Sequence, residues 1–329
     1  MKQHIAYFDF VRGVAILMVV GIHTFFSSTG TFETSYGGFQ VIIRQILNCA
    51  VPTFLALSGF FLGRKKFTTK TDVFNFWKKQ IPKVYLPCLI WSVPLFLMSI
   101  LWGGDCVVNQ LIMFFVCGYS IYYFVALIVQ YYILLPFLQS HKKIGLITAI
   151  IFSTISIVAI TCIMSVKGIS LPLILYAGPF TTWFVFYMLG VYYSDKEISF
   201  SLKSILSLVC VGLVLECIET YYLSQNYQGG IGIKLSSFIY SFGMVTLVLH
   251  PKIQSFYRDN LFTSFIVYIG KISFGIYLIH CYVITILRMI MPMDSWLLSW
   301  LLVSLITILI IMGCRKLLPS QINKYLGFI

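Results

Sequence analysis

The sequence predicts an all-α, polytopic membrane helix bundle of about ten transmembrane helices, and two observations predict it. Of the 329 residues, 59% are hydrophobic and only 10% are charged, and the mean hydropathy is +0.93. Soluble domains carry about 25% charged residues, so this chain has too little charge to cover a water-facing surface. Apolar stretches of about 20 residues, the length that a spanning helix needs, also recur along the whole chain.

These stretches follow one another with short polar loops between them. Their approximate positions are 8–27, 41–62, 84–102, 119–138, 144–165, 174–193, 202–223, 232–249, 271–290 and 296–316. The first is interpreted as a spanning helix rather than a cleavable signal peptide, because it carries Asp9, Arg12 and His23 and lacks a small-residue cleavage site. The stretch 261–270 is left open as an interfacial helix or as part of the ninth span. We expect one transmembrane domain over residues 1–329.

The basic residues predict the orientation of the bundle. When alternate loops are assigned to alternate sides, most of the 23 Lys and Arg residues fall on one face, including the cluster between Gly63 and Lys83. Lys167 and Arg288 lie in loops of the opposite face. By the positive-inside rule both termini are cytoplasmic. This asymmetry accounts for the net charge of +13 without a nucleic-acid partner.

Three ionisable residues of the first helix are expected to share one face. A charged group at the bilayer centre costs about 2.5–3.5 kcal/mol on insertion scales, so it usually faces a cavity. Arg12 and His23 lie about 20° apart around the helix and roughly 16 Å apart along it, and Asp9 lies within about 60° of both. The alternative is that Arg12 snorkels to the interface and His23 caps the outer helix end.

Other polar residues in the predicted spans form two further groups. One group could line an outward-facing polar chamber together with His23: Arg44, Glu216, Glu219 and Lys234. The alternative is that these acids and bases only pair with one another. The second group is a stripe on the ninth span: Ser273, Tyr277 and His280. A purely structural histidine is the alternative for His280.

The nine cysteines are scattered without CxxC pairing, so we interpret them as small hydrophobic residues and expect no metal site.

Six sequence segments, in this order, resemble the bacterial acyltransferase-3 family of membrane acyltransferases. They are DFVRGVAILMVVGIH (9–23), VPTFLALSGFFL (51–62), FWKKQIPKVYLP (76–87), YFVALIVQYYILLP (123–136), FYMLGVYYS (186–194) and GKISFGIYLIH (270–280). The resemblance covers nearly the whole chain. Some members carry a Trp and an acidic pair before the glutamine of the fourth segment, whereas this chain has Tyr123, Ile128 and Val129 ahead of Gln130. We therefore place it nearer the branch that lacks the acid.

The resemblance implies O-acyl transfer, usually of acetyl, from cytoplasmic acyl-CoA to a hydroxyl of a cell-surface glycan or lipid-linked sugar. It implies no metal, a multi-pass location in the bacterial cytoplasmic (inner) membrane, and membrane lipids as partners; a homodimer stays open. The expected catalytic residues are His23, as general base, with Arg12 and Asp9. The expected donor-binding residues are Arg12, Lys78, Lys79, Lys83 and Tyr85. The expected substrate-binding residues are Ser58, Arg44, Glu216, Glu219, Tyr277 and His280.

Other functions and mechanisms remain open at this point. An acyl-histidine intermediate is an alternative to general-base catalysis by His23. A transporter or flippase of a polar solute or lipid-linked saccharide would use the polar stripes as a path, although no inverted repeat is evident. In a sensor or scaffold subunit, the buried charges would only hold helices together. The sequence does not predict the acceptor.

Overall fold

The computed structural model describes residues 2–25, 35–102, 106–226 and 232–328, and these ranges contain helices and connecting segments but no β-strand. The α-helices are α1 (Lys2–Thr24), α2 (Ser35–Ile46), α3 (Ala50–Leu62), α4 (Lys70–Trp102), α5 (Val107–Phe115), α6 (Tyr123–Leu138), α7 (Lys142–Thr161), α8 (Leu173–Tyr176), α9 (Phe180–Tyr193), α10 (Leu202–Asn226), α11 (Leu235–Leu249), α12 (Pro251–Phe256), α13 (Leu261–Lys271), α14 (Ser273–Ile290), α15 (Trp296–Leu317) and α16 (Ser320–Tyr325).

Six helical segments of the described ranges are long and apolar enough to cross a membrane. They are Ile5–Thr24, Gly37–Leu62, Lys70–Trp102, Ser120–Val166, Ser273–Ile290 and Trp296–Leu317. The predicted all-α, multi-pass membrane fold is thereby confirmed. The total of ten spans and the cytoplasmic location of both termini stay predictions.

The structure changes one detail of the sequence-based segmentation and decides between two alternatives at another. The predicted sixth span, 174–193, is broken into α8 and α9 at Gly178 and Pro179, because proline lacks the N–H that would continue the hydrogen-bond ladder. The stretch 261–270 forms a separate helix, α13, which packs along α1 instead of extending α14. Helix α9 is buried on all sides over residues 182–191 and packs against α3 and α7. It is therefore the centre of the bundle.

Glycines let α1 and α13 approach each other at backbone distance. A Cβ on Gly270 would lie 1.8 Å from the carbonyl oxygen of Asp9, and one on Gly13 would lie 2.1 Å from that of Ile266. Neither position has room for a side chain. Small residues at such crossings are the usual way in which membrane helices pack closely. The glycine that follows Arg12 thus fixes α1 against α13.

Side chains satisfy the backbone where α8 gives way to α9. Carbonyl oxygens around the break accept hydrogen bonds from side chains as follows: Tyr176 O from Thr182, Ala177 O from Trp183, Gly178 O from Gln130, Phe180 O from Tyr131 and Thr181 O from Ser153. Gln130 also accepts from the Phe180 N–H through its Oε1, over 3.1 Å. Non-helical backbone at membrane depth is tolerated only where such partners exist. The glutamine of the fourth-segment motif therefore supports the break.

Candidate active site

The ion pair of Arg12 and Asp9 lies at one end of the polar face of α1. Arg12 Nη1 donates to Asp9 Oδ1 over 2.9 Å, and Asp9 is buried whereas 34% of the Arg12 side chain is accessible. The guanidinium carbon also lies 4.9 Å from the centroid of the Phe61 ring. These two contacts fix the guanidinium plane and leave donors for a ligand. Within the described ranges Asp9 lines none of the chambers that follow, so it orients Arg12.

Three chambers lie along this face of α1. Helices α3, α6 and α14 line the first two with α1, whereas α11 and the region of α8 and α9 line much of the third. The basic-face chamber has a volume of about 290 Å³ and is lined by Arg12, Ser58 and Tyr132 among others. The throat has a volume of about 140 Å³ and extends from Arg12 to His23. The far chamber has a volume of about 310 Å³ and is lined by His23 and Arg44.

These chambers adjoin one another through shared wall residues, and we call the row of three chambers the seam. The basic-face chamber and the throat share Arg12, Phe54, Phe124 and Phe274. The throat and the far chamber share Val19, His23, Val51 and Tyr123. Arg12 and His23 therefore both line the throat, one at each of its ends, and the continuous helix α1 spaces them roughly 16 Å apart along its axis.

The imidazole of His23 faces the throat and forms no hydrogen bond with the described residues. Its ring centroid lies 5.3 Å from that of His280, which is fully buried. His280 Nδ1 lies 3.0 Å from Ile276 O and 2.9 Å from Tyr277 O. Because carbonyl oxygens only accept, Nδ1 must carry the proton and Nε2 is left as an acceptor. His280 thus packs behind His23 in a fixed tautomer.

The other expected residues of the ninth span and α3 lie on the wall of the seam. Tyr277 and Ser273 line the throat, and the Tyr277 hydroxyl donates to the carbonyl oxygen of Ile121. Ser58 lines the basic-face chamber. Tyr277 is therefore anchored to the backbone before α6, whereas Ser58 is placed where a ligand could contact it.

A buried charge network backs the far chamber. Arg44 and Asn48 line this chamber, and the Arg44 guanidinium donates to Asn48 Oδ1. Asn48 Nδ2 donates to Glu216 Oε1 over 2.6 Å, and Lys234 Nζ lies 3.4 Å from the same oxygen. Glu216 and Lys234 are both inaccessible to solvent. The network thus orients Arg44, while Glu216 lies behind the wall.

Glu219 has a different environment. Its Oε2 accepts from the backbone N–H of Ser236 over 2.9 Å and from the Ser236 hydroxyl. Ser236 is in the first turn of α11, so the carboxylate caps that helix and interacts favourably with its dipole. Glu219 is not among the described residues that line the seam. The structure therefore places Arg44 in the chamber and gives Glu216 and Glu219 pairing contacts.

Lysines gather beside the opening of the basic-face chamber. Lys78, Lys79 and Lys83 are exposed on α4, and Val84 lines the chamber directly after Lys83. The pKa of Lys65 is lowered by its partial burial and by the neighbouring charges of Lys79 and Lys83. None of these lysines forms a salt bridge with a described residue. An excess of unpaired cations is typical of a site for an anion.

Tyr85 lies on the same helix but not in the seam. Its hydroxyl donates to the carbonyl oxygen of Phe115 over 2.7 Å, which ties α4 to the end of α5.

The structure brings three other residues to the site that the sequence did not single out as site residues: Lys65, Tyr123 and Tyr132. Both tyrosines lie in the fourth resemblance segment, which was the available signal. Lys65 could not be found from sequence, because the turn before α4 is what brings its charge near the charges of Lys79 and Lys83.

Comparisons with known proteins identify the family of this chain. The family described as "Acyltransferase domain" (acyltransferase-3) matches residues 5–316, nearly the whole chain. A serine/alanine racemase of Enterococcus gallinarum is 32% identical over 149 residues, which is 41% of this chain and only 20% of that protein. No solved structure matches the chain. Since the family match covers the seam and every helix that lines it, the chain belongs to the acyltransferase-3 family of membrane acyltransferases.

Proposed function

We propose that the protein transfers an acyl group, most simply acetyl, from acyl-CoA at the basic face to a hydroxyl of a cell-surface glycan or lipid-linked sugar at the opposite face. The basic face is then cytoplasmic and the membrane is the bacterial cytoplasmic membrane. The observation that carries the proposal is the seam itself. It extends from an arginine at the cation-rich end to an imidazole about 16 Å further along α1, inside a largely apolar bundle.

The basic-face end suits a donor with several phosphates. Lys65, Lys79 and Lys83 offer unpaired charges beside the chamber, and Arg12 offers a guanidinium fixed by Asp9. Phosphates favour such donors, because charge-assisted hydrogen bonds are roughly twice as strong as neutral ones. The chamber and throat beyond Arg12 are lined mainly by aromatic and aliphatic side chains, which suit a small, weakly polar thioester.

The far end suits the acceptor. His23 faces both the throat and the far chamber, so it can meet the acyl group from one side and a hydroxyl from the other. In the proposed step, the neutral imidazole takes the hydroxyl proton as the oxygen attacks the thioester carbonyl. The C–S bond breaks, and the imidazolium returns the proton to the departing thiolate. General-base catalysis of this kind contributes about 10²–10⁴ in rate.

The proposal is tested with the purified chain in proteoliposomes that contain acetyl-CoA labelled in the acetyl group. We expect free thiol to appear and label to enter a saccharide acceptor, and both should depend on His23. Surface glycans and lipids from cells with and without the gene, compared by mass spectrometry, identify the acceptor as the species that loses one acyl increment. Movement of an intact saccharide across the membrane without thioester consumption would instead show a transporter or flippase.

A further inference from the structure

A second cavity lies at the basic face, beside the end of α3. Its volume is about 870 Å³, within the range of roughly 300–1,000 Å³ that is usual for small-molecule sites. Phe60 lines this cavity, whereas the next residue, Phe61, lines the basic-face chamber of the seam. The two hollows have no lining residue in common among the described ranges.

The walls of this cavity carry more positive than negative charge. Its cationic residues are Arg64, Lys66, Lys142 and Lys196, and its acidic residues are Asp195 and Glu197. Lys142 Nζ lies 2.9 Å from Asp195 Oδ2, so these two charges balance. The wall then has three further cationic residues, Arg64, Lys66 and Lys196, and one further carboxylate, that of Glu197. This imbalance favours an anionic ligand.

Arg64 is held in a defined position. Its Nε donates to the carbonyl oxygen of Ser194 over 2.6 Å, and its guanidinium carbon lies 4.8 Å from the centroid of the Phe60 ring. Its Nη groups form no hydrogen bond with described residues. A guanidinium fixed at Nε and open at both Nη atoms matches the bidentate geometry of phosphate.

The start of α7 adds a second attraction. Helix α7 is 20 residues long and begins at Lys142 on the cavity wall, and no side chain caps its N-terminus. The first N–H groups of a helix lack intrahelical partners and carry a partial positive charge, which anions often neutralise. Lys142 Nζ also donates to Gly63 O and to Ser194 Oγ, both over 2.9 Å, so the same lysine joins α7 to the turn that carries Arg64.

We infer that this cavity binds a phosphate group, with Arg64 as its principal ligand, and that the site is separate from the acyl path. Two sources have this chemistry: a soluble nucleotide, or the headgroup of an anionic phospholipid. The cavity is formed by helix ends and loops at the cation-rich face, which both sources can reach.

The test uses the full chain with Lys65, Lys79 and Lys83 changed to Gln, so that the lysines beside the seam do not contribute. Binding of inorganic pyrophosphate is measured by calorimetry in neutral detergent, and retention of phosphatidylglycerol is measured by native mass spectrometry after purification from mixed micelles. We expect at least one probe to bind, and Arg64→Gln to weaken that binding at least tenfold. Lys203→Gln, which removes an exposed lysine that lines no described cavity, is the matched control and should bind as before.

The two probes separate the sources. Pyrophosphate binding that depends on Arg64 indicates a soluble phosphate ligand, and phosphatidylglycerol retention alone indicates a lipid headgroup. If Arg64→Gln fails to fold, the exposed rim residue Lys196 replaces it, with Lys196→Gln expected to weaken binding several-fold. Equal binding by the Arg64 or Lys196 variant and the control, or no binding of either probe, would overturn the inference.

Discussion

The imidazole rings of His23 and His280 lie 5.3 Å apart, centroid to centroid, across the contact between α1 and α14. His280 is tied to its own helix through Nδ1, while His23 is left without a hydrogen bond from the described residues. One ring is thus fixed and the other is available to a ligand. This relationship places the candidate base on a rigid support, and it leads to the first prediction.

Replacement of His23 by Ala should lower acyl transfer by about 10²–10⁴, because the hydroxyl loses its proton acceptor. The measurement is the rate of thiol release from acetyl-CoA in proteoliposomes. His141→Ala, a change at an exposed histidine outside the seam, is the control and should leave the rate unchanged. Normal transfer by the His23 variant would refute the proposed base.

Replacement of Arg12 by Lys should raise the KM for acyl-CoA about tenfold. A lysine keeps the positive charge but lacks the planar guanidinium, which can donate to Asp9 and to a phosphate at the same time. Each hydrogen bond to a charged group that is lost costs about 1.5–3 kcal/mol. Initial rates over a range of acyl-CoA concentrations give the KM. Arg258→Lys, at an exposed site, is the matched control. An unchanged KM would favour the sensor or scaffold alternative.

Replacement of Gly270 by Ala should lower the melting temperature in detergent, because the new Cβ would lie 1.8 Å from Asp9 O and force α13 away from α1. Overpacking of this kind typically costs about 1–3 kcal/mol. Gly313→Ala is the control, since a Cβ there meets no atom within 4 Å, and it should unfold at the wild-type temperature or slightly above it. Equal melting temperatures for the two variants would contradict the close crossing.

Removal of one partner of the buried pair formed by Glu216 and Lys234 should destabilise the protein by about 3–5 kcal/mol, because the other charge stays buried without the opposite charge that pairs with it. Lys234→Met and Glu216→Leu are compared singly and together by chemical unfolding. The double variant should recover most of the loss. If the double variant loses as much as the sum of the single variants, the pair does not act as a unit.

The orientation can be tested by labelling single cysteines. With the nine native cysteines replaced by Ala, one cysteine is placed at Lys66 or at Lys167. The positive-inside rule predicts that a membrane-impermeant maleimide labels only the Lys167 site in intact cells, and both sites after lysis. Labelling of the Lys66 site in intact cells would reverse the orientation.

The polar face of α1 could be predicted from sequence because it depends only on helix geometry. Arg12 and His23 share a face at any α-helical pitch, and the seam follows from that spacing once neighbouring helices surround it. The placement of Glu216 and Glu219 could not be predicted in the same way. Their partners, Lys234 and Ser236, are brought to them by the packing of α10 against α11, and the sequence left both pairing and cavity lining open.

Some helix boundaries also could not be predicted from the sequence. The sequence predicts one span over 174–193, since its apolar composition is continuous, but Pro179 ends the hydrogen-bond ladder and separates α8 from α9. A separate helix over 261–270 was one of two alternatives, but the packing of α13 along α1 is equally hard to foresee. It depends on glycines in two helices meeting at the same crossing, which is a property of the packed bundle and not of either segment alone.

The break between α8 and α9 also determines how the far chamber can hold a guest molecule. Tyr176, Ala177 and Trp183 form part of its wall, yet the carbonyl groups of Tyr176 and Ala177 are already occupied by Thr182 and Trp183. Each of these carbonyl oxygens therefore has one lone pair left for a guest molecule. For the saccharide acceptor that we propose, selectivity should reside in side chains such as Arg44, and a relative could acquire a new preference by exchanging them while its scaffold stays intact.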